Sequence, residues 1–85
     1  MFLSEQGIVS DLLLRQWTEA DKQILKNTPF GDLIQYHHNV GKWIRNNYKL
    51  WDANNPYVDT KDSYGDKFPD QVSQRIIETC WTKLQ

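Results

Sequence analysis

Residues 28–48 read TPFGDLIQYHHNVGKWIRNNY, and the fold turns on how this stretch is read. Thr28-Pro29 is the sharpest punctuation in the chain. Proline is favoured at the first helical position, and a threonine hydroxyl can accept from an otherwise unpaired amide. No further proline occurs before Tyr48, and Leu33, Val40, Ile44, Tyr48 and then Trp51 return to one side of a helical wheel. The spacing predicts one unbroken amphipathic helix over residues 29–48, about 30 Å long, with Gly31 and Gly41 as its weak points.

On that helix His37 falls within the apolar arc and His38 toward its polar flank. An inward imidazole needs partners for its nitrogens, so a core histidine bonded to backbone or to Asp70 is favoured over a general base or ligand. Gly41, one turn on, clears room for another helix or for the following loop. His38, Lys42, Arg45 and Lys49 make a basic flank, read first as a solvated face with Arg45 paired to Asp66 or Asp70. Trp43 and Leu50 fall outside the arc.

Working outward, Ile8, Val9, Leu12, Leu13 and Trp17 recur at spacings that mark one face of a short first helix, with Gly7 near its start. Thr18-Glu19-Ala20-Asp21 is a variant capping box opening a second helix, whose packed face is Ala20, Ile24 and Leu25. Residues 52–69 are rich in turn formers and lack any period, which predicts a long loop partly packed through Tyr57, Val58, Tyr64 and Phe68. Beyond Pro69, Val72, Ile76, Ile77, Cys80, Trp81 and Leu84 predict a terminal helix. The fold class expected is all-α: a single domain over residues 1–85, with three to four helices around one long central helix and an ordered loop before the last.

The chain has 85 residues, ten Lys+Arg against eleven Asp+Glu, and a net charge of −1. That balance lacks the positive field that gathers a protein on phosphate backbones, so nucleic acid is disfavoured as a partner. A lone Cys80 on an apolar face fits a reducing compartment, and cytoplasm is the expectation. No apolar run approaches the roughly 20 residues of a membrane span, and no export signal is evident.

Chemical motifs are scarce. Asp59, Asp62, Asp66 and Asp70 lack the order of a calcium loop, adjacent His37 and His38 diverge by about 100° on a helix, and Cys80 has no companion, so no metal and no cofactor is expected. Eleven aromatics in so thin a domain cannot all be fully buried, and an exposed set of them is the mark of a protein interface.

Residues from Asp32 onward resemble a bacterial domain family of uncharacterised function, marked by a His-x-x-x-Gly-x-x-Ile-Arg-Asn-x-x-x-Leu-Trp string and then Pro-Asp-x-x-Ser. The string is carried here by His37, Gly41, Ile44, Arg45, Asn46, Leu50 and Trp51, then by Pro69, Asp70 and Ser73. Glu19-Ala20-Asp21-Lys22 and Lys26-Asn27-Thr28 look alike too, while residues 57–67 follow no shared pattern. The resemblance brings no activity. It implies that His37, Arg45, Asn46, Asp70 and Ser73 belong together as a polar cluster, with Arg45 gripping Asp70 bidentately.

The leading functional expectation is a non-catalytic protein-protein interaction module, an inhibitor, immunity or adaptor protein of bacterial or phage origin. It would bind another protein through Lys42, Trp43, Arg45, Lys49, Tyr57 and Tyr64. The alternatives are a small enzyme, hydrolytic in kind, using His37 with Arg45 and Asp70, and a nucleic-acid binder using Lys42, Arg45 and Lys49. Assembly of identical copies stays open.

Overall fold

The computed structural model describes residues 2–85, and all of their regular structure is helical. Helix α1 (Glu5–Asp11) starts at Ser4, whose hydroxyl accepts from the Gly7 amide at 3.2 Å. It buries Ile8 and Val9, then widens into a π turn over Leu12–Gln16, where the Trp17 amide reaches the Leu12 carbonyl at 2.9 Å. The wider turn resolves an awkward spacing. Five residues separate Leu12 from Trp17, about 140° round an α-helix, but closer to one turn when amides bond five residues back. Leu12 is thus fully buried and Trp17 half-buried, while Leu14 projects into solvent.

Helix α2 (Glu19–Lys26) carries the capping box expected: the Asp21 amide donates to Thr18 Oγ1 at 3.1 Å and the Thr18 amide donates to Asp21 Oδ2 at 3.0 Å. Only part of its expected packed face is inside. Leu25 is buried, but Ala20 and Ile24, about 40° apart and both about 100° or more round the helix from Leu25, are exposed.

The unbroken rod over residues 29–48 is not formed. Phe30–Tyr36 is a 3₁₀ segment, residues 37–39 turn, and α3 (Val40–Asn47) begins afresh with the Asn39 side chain accepting from the Val40 amide. Four contacts explain the break. Thr28 closes α2 instead of opening the next helix: its hydroxyl donates to the Ile24 carbonyl at 2.8 Å and meets the Tyr36 hydroxyl at 2.9 Å. The Trp81 indole N–H donates to the Thr28 carbonyl at 2.7 Å, fixing the junction against the last helix. Most telling, the His37 carbonyl, which an unbroken helix would offer to the amide of Gly41, accepts instead from Arg45 Nη2 at 3.1 Å. A charged donor has taken the place of a helical amide.

Helix α3 ends at Asn47, capped by Tyr48; the next residue, Lys49, adopts a left-handed φ of 56°, and the Leu50 amide returns to the Arg45 carbonyl at 2.9 Å. That reversal swings Leu50 into the core, fully buried, although its wheel position placed it outside the apolar arc. Trp51, expected on the arc, is instead exposed, its ring edge-to-face with Phe68 at 5.2 Å. The loop that follows is tied by its own bonds. Buried Asn55 donates to the Lys49 carbonyl at 3.2 Å, and the Asp59 amide reaches the Lys67 carbonyl at 2.8 Å. Val58 and Phe68 pack partly inward, whereas Tyr57 and Tyr64 do not.

Helix α4 (Pro69–Leu84), at 16 residues, is the central element of the bundle, packed against α1, α2, α3 and the 3₁₀ segment. Its Val72, Ile76, Ile77 and Cys80 meet Ile8, Val9, Leu12, Leu33, Ile44 and Leu50 in one core. Arg75 anchors α1 to it by a bidentate pair with Glu5, both contacts 2.8 Å. No helix among the described residues is long and apolar enough to cross a membrane.

Candidate functional site

Two constellations come out of this packing. The first is a polar clamp between α3 and α4. Arg45, only 7% exposed, donates from Nη1 to Ser73 Oγ at 2.9 Å and from Nη2 to the His37 carbonyl, and its Nε lies 3.5 Å from Asp70 Oδ1. Ser73 Oγ in turn donates to the Asp70 carbonyl at 3.0 Å. The grip on Asp70 is a single Nε contact, not the bidentate fork expected, because the two terminal nitrogens are spent on Ser73 and His37. Gly41 makes room for this: a Cβ there would stand 3.0 Å from Arg45 Nη1, 3.3 Å from the Tyr36 carbonyl and 3.7 Å from Ser73 Oγ.

His37 is half-buried, with Nε2 3.9 Å from Asp70 Oδ2 and a buried Nδ1 that has no hydrogen-bond partner among the described residues. His38 is exposed. Asn46 is exposed and joins none of the clamp's hydrogen bonds. Of the five residues read as a polar cluster, the structure brings together His37, Arg45, Asp70 and Ser73 and leaves Asn46 outside.

The second constellation is an apolar groove of about 410 Å³ where α2, the 3₁₀ segment and α3 converge. Trp17, Ile24, Tyr36, Val40 and Trp43 line it, Leu25 and Ile77 contribute from the core, and Gln16 and Asp21 are its polar residues. Two of its rings are fastened. The Tyr36 hydroxyl is held by Thr28, and the Trp43 ring stands edge-to-face to Tyr48 at 6.0 Å. Tyr48 donates to Asp11 Oδ2 at 2.6 Å, and burial together with that carboxylate pushes its phenol well above the ordinary range. Trp43 is 43% exposed and Ile24 is 62% exposed, so large apolar surface faces water here.

The residues picked out for binding are scattered by the fold. Trp43 lines the groove; Lys42 and Lys49 are exposed on or just beyond α3; Arg45 is inside and offers no binding surface. Tyr64 is 98% exposed on the long loop, and Tyr57 borders a separate polar cleft near Glu5 and Arg75. With Arg45 withdrawn, the basic flank is no continuous stripe. Trp17, Asp21 and Ile24 are legible in the sequence only as packing or capping residues and Tyr36 carries no signal there, yet all four line the groove. The available signal was that Ala20 and Ile24 lie about 40° apart on α2 while Leu25 lies about 100° or more from both, so a short helix that buries Leu25 can leave Ile24 at the surface. Elsewhere, burial pushes the Cys80 thiol up to about 12, and among the described residues no three His, Cys, Asp or Glu side chains gather as metal ligands.

Fold and groove together define a small all-α domain that holds one polar clamp inside and one aromatic groove open to solvent. The chain belongs to the family described as "Domain of unknown function (DUF6794)", whose model matches residues 10–84. No curated protein and no solved structure matches it.

Proposed function

We propose that this protein is a small non-catalytic interaction module, of the inhibitor, immunity or adaptor kind, that receives another protein in the groove between α2, the 3₁₀ segment and α3. The observation that carries the reading is the groove itself: about 410 Å³, lined by two tryptophans and a tyrosine, with Trp43 and Ile24 exposed at its walls. Exposed aromatic surface of this kind dominates binding energy at protein interfaces. Lys42, Lys49, Tyr57 and Tyr64 lie outside the groove's lining and would serve as more distant contacts. The clamp fits a structural role, because the Arg45 donors are engaged within the fold and His37 lines neither the groove nor the polar cleft. A buried thiol at Cys80 supports residence in a reducing compartment.

The test is affinity capture from the native host, comparing wild type with an Ile24→Ser, Trp43→Ala variant. The expected result is a protein retained by wild type and lost from the variant, with both melting within about 8 °C of one another, since both replaced side chains lie at the surface and outside the buried core. Equal retention by both, or retention of nothing, would remove the groove from any docking role.

A further inference from the structure

We propose that the groove is shaped for a cationic side chain, an arginine or lysine of the partner protein, with its stem among Trp17, Tyr36 and Trp43 and its charge toward Asp21. The inference rests on the docking role just argued and names the chemistry of the occupant. Among the described residues, Asp21 is the only formally charged one lining the groove. Its Oδ2 accepts from the Thr18 amide, and it takes part in none of the five ion pairs among the described residues. Oδ1 is therefore free to accept. Gln16 points the same way: its Nε2 donates to Asp11 Oδ2 at 3.2 Å, which leaves its carbonyl oxygen as the free atom. Both non-aromatic polar side chains of the groove thus offer acceptors.

An aromatic wall with a carboxylate at its edge is the donor set that attracts organic cations. The ring quadrupole draws positive charge, and the carboxylate completes the field. Arginine and lysine suit it further because their methylene stems bury against apolar walls while the head stays at the polar edge. An anionic occupant would be repelled by Asp21, and a purely apolar one would cover the carboxylate without giving it a partner. The Tyr36–Thr28 contact, the Trp43–Tyr48 contact and the capping box hold these groups in place before anything binds, which lowers the ordering cost.

The experiment uses an isosteric pair, n-butylguanidinium and n-butylurea, which differ in charge but scarcely in shape. Each is titrated to about 50 mM, where even millimolar binding registers, while the indole N–H signals of Trp17 and Trp43 are followed by NMR. The cation is expected to move both signals and to bind at least about fivefold more tightly than the urea. In Asp21→Asn, where the asparagine oxygen can still cap Thr18, that advantage is expected to vanish while the melting temperature stays within about 8 °C. Equal binding of the two probes, no response to either, or a preference that persists in Asp21→Asn would each overturn the proposal. The two readings fail separately. A partner captured in a Trp43-dependent way by a groove that ignores charge leaves docking intact and removes the cation; selectivity for the cation without any such partner does the reverse.

Discussion

Replacing Arg45 with alanine removes a guanidinium that is 7% exposed and touches three groups, two on α4 and one in the turn before α3. Its bonds to Ser73 Oγ at 2.9 Å and to the His37 carbonyl at 3.1 Å are charge-assisted, a class that contributes about 1.5–3 kcal/mol each before compensation. Some compensation is available. Ser73 keeps its donation to the Asp70 carbonyl, and the Asp70 side chain is 41% exposed, so water can replace the 3.5 Å ion contact, which itself adds about 0–1 kcal/mol. Loss of the packed stem adds about 1 kcal/mol. The net destabilisation expected is about 3–4 kcal/mol, or roughly 15–25 °C in melting temperature for a domain of this size. Thermal unfolding followed by far-UV circular dichroism measures it, with Lys42→Ala, exposed on the same helix, as a control expected within about 0.5 kcal/mol of wild type. Arg45→Met, which keeps the stem but not the donors, should retain most of the loss. If Arg45→Ala melted within about 4 °C of wild type, the clamp would not be what joins α3 to α4.

Gly41→Ala tests the same junction from the other side: alanine improves helix propensity by about 1 kcal/mol, but its Cβ would meet Arg45 Nη1 at 3.0 Å and the Tyr36 carbonyl at 3.3 Å. A net loss of about 1 kcal/mol is expected, and a rise in urea midpoint would contradict it. Lys49→Gly relieves a left-handed φ of 56° at the α3 stop, for an expected gain of about 0.5–1 kcal/mol; a lower melting temperature would show that the lysine side chain contributes more than its backbone costs. Cys80 gives a pH test. Burial pushes its thiol up to about 12, so above about pH 9 the unfolded chain loses a proton that the folded chain keeps. That contribution is complete below the ordinary thiol range and declines as pH rises toward 12, by up to about 1.4 kcal/mol per unit. The raised Tyr48 phenol acts in the same direction at higher pH. Urea midpoints from about pH 8 to 10.5 should fall in wild type and fall less steeply in Cys80→Ala; parallel slopes would exclude the thiol as a source.

Local signals were legible wherever a structure is settled within a few residues. The Thr18–Asp21 box lies within one turn of helix and appears as read. The apolar period of residues 72–84 needed only one face of α4 turned inward. The centre of the molecule is not legible in that way, because residues 29–48 satisfy helical periodicity without revealing what competes for their backbone. His37 O lies eight residues before Arg45 in sequence, and its loss to the guanidinium becomes visible only when Ser73 and Asp70 arrive from α4 to hold that side chain in place. The place of Leu50 is not legible for a related reason: a wheel assumes the helix continues, and it ends at Asn47. The groove was hidden because its residues lie on α2, the 3₁₀ segment and α3, with Trp17 brought into place by the π turn.

Sequence by itself determined the all-helical class, the turn-rich stretch before the last helix and the apolar face that α4 buries, since these follow from periodicity, capping and proline placement over short spans. Tertiary structure decided that α4, rather than the stretch after Pro29, is the central helix, that Arg45 is a clamp and not a contact surface, and that Trp17, Tyr36 and Trp43 share one groove. The physical reason is that a backbone carbonyl or a ring takes whichever partner is nearest after packing, and for His37 and Trp17 that partner comes from outside the local helical pattern.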